Sequence, residues 1–93
     1  MNKYEVMFIV RPDVEDETRK ALLETFNGIF TANDGVVDSI DEWGLRTLAY
    51  EIDHLKRGYY VVVNLTAPSE NVIEFERVSR LNSNVIRYIT IRK

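Results

Sequence analysis

Residues 41–65 read DEWGLRTLAYEIDHLKRGYYVVVNL. Two β-forming runs flank a short polar connection. Trp43 to Ile52 carries Leu45, Leu48, Tyr50 and Ile52, and Tyr59 to Leu65 is almost wholly aromatic and β-branched. Asp53, His54, Lys56, Arg57 and Gly58 lie between them and suit a solvated turn. The pattern predicts a long hairpin in a small sheet. The second run shows no polar–apolar alternation, so both its faces are at least partly covered. Helices account for one face. What covers the other is the functional question.

Working outward, Tyr4 to Val10 predicts the first strand. Tyr4, Val6, Phe8 and Val10 share one face and Lys3, Glu5, Met7 and Ile9 the other. The first set is the more apolar and is expected under the helices. Arg11-Pro12 ends the strand, since proline has no N–H to donate. Asp13 or Asp16 then suits a helix cap. Leu22, Phe26, Ile29 and Phe30 form a helical stripe, and Asn33-Asp34-Gly35 stops it, with Gly35 expected in the left-handed region. Val36 to Ile52 predicts the second strand, with Gly44 marking a bulge or a bend. The third strand is expected from Tyr59 to about Ala67. Ser69 suits the cap of a second helix buried through Val72, Phe75 and Val78. Val85 to Ile91 is the last strand.

The order β-α-β-β-α-β implies an α+β, ferredoxin-like fold. Two helices pack on one face of a four-stranded antiparallel sheet, the first and third strands central. At 93 residues the chain is expected to form one domain, residues 1–93. The apolar share of 45% is ordinary for a globular chain, and no apolar run approaches the ~20 residues of a membrane helix. The N-terminus reads as a strand and not as a signal peptide.

Little here suggests catalysis. There is no cysteine and one histidine, His54, placed in the expected turn, so neither thiolate chemistry nor a Cys/His metal site is expected. Asp38, Asp41 and Glu42 read as a solvated acidic face. No glycine-rich loop opens a helix to cradle a phosphate. Net charge is −3, but residues 77–93 hold Arg77, Arg80, Arg87, Arg92 and Lys93 with no acid, which fits a surface facing an anion. Arg57-Gly58-Tyr59-Tyr60-Val61 partly matches the basic-Gly-aromatic strand of RNA-recognition modules. Val61 replaces the second aromatic, so the base-stacking platform is incomplete. The open sheet face should show Met7, Ile9, Tyr60, Val62 and Asn64, joined by Arg87, Ile89 and Ile91 if Tyr88 packs under the helices. A face this apolar suggests a protein partner.

Tyr4-Glu5, Arg11-Pro12, the run Trp43-Gly44-Leu45-Arg46-x-Leu48-Ala49-Tyr50-x-Ile52, Gly58-Tyr59-Tyr60 and Asn84-Val85-Ile86-Arg87 together resemble the bacterial small-subunit ribosomal protein six family. The resemblance covers essentially the whole chain. It implies a non-catalytic cytoplasmic protein of the ribosome, without cofactor, metal or small-molecule substrate. It implies binding of small-subunit (16S) ribosomal RNA together with ribosomal protein eighteen during platform assembly. Carried onto matched positions, Lys3, Arg46, Arg87, Arg92 and Lys93 are expected to contact RNA. Trp43, Tyr50, Tyr60, Val62, Ile89 and Ile91 are expected to contact the protein partner. Ser79 departs from the aliphatic residue usual in that family, which predicts looser packing of the second helix. Two other readings of the same topology fit less well. A ligand-sensing regulatory domain lacks its glycine loop here, and an acylphosphatase-like enzyme lacks its arginine loop, because Arg11 is followed by Pro12 and acids.

Overall fold

The computed structural model describes residues 1–52 and 54–93, with the side chains of residues 49 and 50 left out. The expected turn residue Asp53 therefore lies outside the described residues. The elements are β1 (Asn2–Val10), α1 (Asp16–Thr31), a 3-10 turn (Ala32–Asp34), β2 (Val36–Ile52), β3 (Leu55–Ala67), α2 (Ser69–Leu81) and β4 (Val85–Arg92). The strands form one antiparallel sheet in the order β2-β3-β1-β4. This is the ferredoxin-like α+β arrangement, with β1 and β3 central.

Alternation on β1 fixes the core. Tyr4, Val6, Phe8 and Val10 are buried with Val61, Val63 and Leu65 of β3, Leu22, Phe26 and Phe30 of α1, and Val72 and Phe75 of α2. Phe26 meets Phe8 and Phe75 edge-on, each at 4.9 Å between ring centroids, so one ring joins sheet and both helices. Phe75 also meets Tyr88 at 6.0 Å, which puts Tyr88 under α2 and turns Arg87, Ile89 and Ile91 to the opposite face.

Four local expectations need correction. First, Glu15 occupies the N-cap of α1 and Pro68 that of α2, with no side-chain cap bond at either. Asp16 and Ser69 are instead the first helical residues, where an acid still meets the positive end of α1. Second, Asn33 and Asp34 take the left-handed conformation (φ 53° and 65°), and Gly35 is extended. Glycine is needed at 35 for closeness: a Cβ there would run into the carbonyl oxygen of Phe30 and the Asn71 amide. Third, β3 starts at Leu55, not Tyr59, so the hairpin projects beyond the rest of the sheet. Fourth, Val78 is only partly buried, and Asn71 and Ser79 join Val72 and Phe75 on the buried side of α2.

Asn71 is buried there for a reason. Its side-chain amide donates to the carbonyls of Phe30 (3.1 Å) and Ala32 (2.7 Å) and accepts from Asn33 Nδ2 (3.1 Å). One buried residue of α2 thus bonds carbonyls at the end of α1, where the Ala32 oxygen also accepts the Gly35 N–H at 2.9 Å. Ser79 differs: its Oγ is buried and finds no partner among the described residues.

Candidate protein and nucleic-acid interface

The sheet face away from the helices divides into two halves. Met7, Ile9, Leu48, Ile52, Tyr60, Arg87 and Ile89 line a shallow apolar hollow in the half nearer the hairpin. Period-two alternation sets Leu48 and Ile52 on that face. Leu48 is buried, and Ile9 is only 3% exposed although it points away from the helices. Gly58 allows this approach, since a Cβ there would collide with the Ile9 side chain. In the other half a polar ladder runs from β2 across β3 and β1 to Lys93, the residue after β4. Asn64 on β3 donates to Ser39 Oγ (3.2 Å) on β2 and accepts from the Lys93 ammonium (2.6 Å), which passes over β1 beside Glu5 (3.7 Å).

The β2 bulge builds the edge of the apolar half. Glu42 pairs with Val61 and Gly44 with Tyr60, leaving Trp43 as the extra residue. Gly44 sits at φ 79°, a conformation costly for any residue with a side chain. Trp43 is 45% exposed and stacks on Tyr60 at 6.1 Å with 11° between planes. Its indole N–H donates to Asp41 Oδ2 at 2.9 Å, and Arg46 Nε donates to its carbonyl at 3.2 Å. On the helix side of the same strand pair, Tyr59 donates to Glu42 Oε1 (3.1 Å) and lies under the Arg19 guanidinium (4.1 Å to the ring centroid). Burial, with the bond to Glu42, raises the Tyr59 pKa above its ordinary value.

Trp43, Tyr60, Val62, Ile89 and Ile91 all lie on the open face, with Ile89 (42%) and Ile91 (51%) the most exposed aliphatics of β4. The Tyr50 side chain lies outside the described residues. The expected RNA contacts are not brought together. Arg46 and Arg87 stand on opposite edges of the apolar half, and Lys3 lies beside the polar ladder. Lys93 is engaged within that ladder. Arg92 pairs with Tyr4, whose face belongs to the core, and its guanidinium donates to Asn2 Oδ1 at 2.8 Å. Leu48, Ile52 and Asp41 were not anticipated on this surface. For Leu48 and Ile52 the signal was present in their spacing of four along one strand.

No helix among the described residues is long and apolar enough to cross a membrane, and no group of three or more His, Cys, Asp or Glu is placed to hold a metal ion. The sequence profile of ribosomal protein S6 matches residues 3–92. The chain belongs to the ribosomal protein S6 family. The crystal structure of 30S ribosomal protein S6 from Thermotoga maritima is similar throughout. It is 33% identical, covers 99% of this chain and 87% of its own, and superposes with a TM-score of 0.91. The chain is accordingly a structural, RNA-associated protein of the small ribosomal subunit, working in the cytoplasm.

Proposed function

We propose that this protein holds small-subunit (16S) ribosomal RNA jointly with ribosomal protein eighteen during platform assembly. The observation that carries this reading is the uncovered apolar half of the sheet, flanked by a cation on either edge strand. Trp43, Tyr60, Val62, Ile89 and Ile91, with Tyr50 of the hairpin, receive the protein partner. Arg46 and Arg87 meet phosphates where RNA passes the rim of that contact, and Lys3 adds a third cation at the far end. A chain of net charge −3 with one exposed aromatic stack among its described residues has little to hold RNA alone. A partner that covers the apolar face and adds basic charge supplies both deficits. No step in this role is catalytic.

Filter binding of a central-domain 16S RNA fragment tests the reading. Weak binding by the protein alone and much tighter binding with the partner present is the expected result. Equal affinity with and without the partner would overturn it.

A further inference from the structure

Asp41 stands in a row of acids on β2, between Asp38, which accepts from Thr66, and Glu42, which accepts from Tyr59. The Asp41 carboxylate has a specific task. The bulge at Trp43-Gly44 throws a large indole onto the open face, where it is 45% exposed. An exposed tryptophan of this kind samples several rotamers unless something holds it. Four contacts hold this one. Tyr60 stacks on the ring, the Arg46 guanidinium lies over it at 6.0 Å from the centroid, Arg46 Nε donates to the Trp43 carbonyl, and Asp41 Oδ2 accepts the indole N–H at 2.9 Å. Stacking and the cation over the ring set no direction within its plane, and the Nε bond fixes the backbone. The Asp41 bond is the contact that selects one orientation of the ring.

We infer that Asp41 is a positioning residue that pre-sets Trp43 as a rigid anchor for the protein partner on the open face. The inference rests on the reading that this face takes ribosomal protein eighteen. A large aromatic already in its bound rotamer gives up less freedom on docking, so the same surface binds more tightly. Releasing one such side chain weakens binding by about 3- to 10-fold. Arg46 supports the same anchor twice: Nε secures the bulge, and the guanidinium lies over the indole.

The test uses the intact protein and purified ribosomal protein eighteen with the RNA fragment. Trp43 is the single tryptophan, so its emission anisotropy reports the ring directly. Asp41→Ala is expected to lower that anisotropy and weaken partner binding about 3- to 10-fold, with thermal unfolding unchanged. Asp41→Asn keeps an acceptor oxygen and restores both. Trp43→Phe keeps an aromatic ring without the N–H and is expected to match Asp41→Ala in affinity. Wild-type affinity in Asp41→Ala while Trp43→Ala binds poorly would overturn the positioning role and leave the docking face standing. Asp41→Asn behaving like Asp41→Ala would also overturn it, because charge and not the acceptor would then matter. Unchanged partner binding in Trp43→Ala, whatever happens to RNA affinity, would overturn the docking face and the inference together.

Discussion

Lys93 donates to the side-chain oxygen of Asn64 at 2.6 Å, reaching from the β4 edge across β1 to β3. This occupies a cation that sequence alone would assign to phosphate. Arg92 is likewise held, by Asn2. Arg46 and Arg87 are the two arginines that border the apolar half proposed to meet the partner. Counterion release predicts that the slope of log affinity against log salt falls by ~0.7–0.9 for each phosphate no longer neutralised. Arg46→Gln with Arg87→Gln should flatten that slope by roughly 1 to 2 units. Lys93→Gln should flatten it by less than about half a unit. The measurement is RNA–partner binding across a salt series, with circular dichroism confirming the fold.

The amide of Asn71 is the only described side chain that bonds the Phe30 and Ala32 carbonyls. Asn71→Ala takes this bond from the buried Phe30 and leaves the Ala32 carbonyl with the Gly35 N–H. The expected cost is about 1–3 kcal/mol, read by urea titration. A cost under about 0.5 kcal/mol would mean that α1 holds its own end.

Ser79 offers the opposite case. A buried hydroxyl with no partner costs free energy that alanine does not. Ser79→Ala is expected to raise stability by about 1 kcal/mol and to leave partner binding alone, since residue 79 is on the buried side of α2, away from the open face.

Phe26 and Phe75 are fully enclosed and touch each other as well as the sheet. Replacement of either by Ala should cost about 3–5 kcal/mol. The double replacement should cost less than the two single costs combined, because the rings pack on each other. A double-mutant cycle by denaturant titration measures the shortfall.

The strand faces were legible because alternation needs only neighbours in sequence. Tyr4, Val6, Phe8 and Val10 announced the core side of β1, Tyr88 set the parity of β4, and Gly44 marked the bulge. The engagement of Lys93 was not legible, since its partners Asn64 and Glu5 are neighbours only once the register is fixed. Gly35 misled for a related reason. Glycine after a helix usually signals a left-handed turn, but here the approach of Phe30 and Asn71 demands it. Asp41 and Trp43 are two apart along one strand, so their bond could be anticipated. A row of acids invites the solvated reading and hides the bonds that Asp38, Asp41 and Glu42 accept.

The sheet order also has a history in time. Among these strands β1 is made before the others and its neighbour β4 after them, with Val6 finally set against Thr90. At synthesis rates of ~5–20 residues per second, one edge of β1 waits on the order of 4 to 16 seconds for its partner. Both faces of that waiting strand are apolar over Val6 to Val10, and an unpaired apolar edge invites pairing with other chains. A nascent chain stalled before β4 is therefore the species most exposed to misassociation, and factors that shelter emerging chains should engage this protein in that interval.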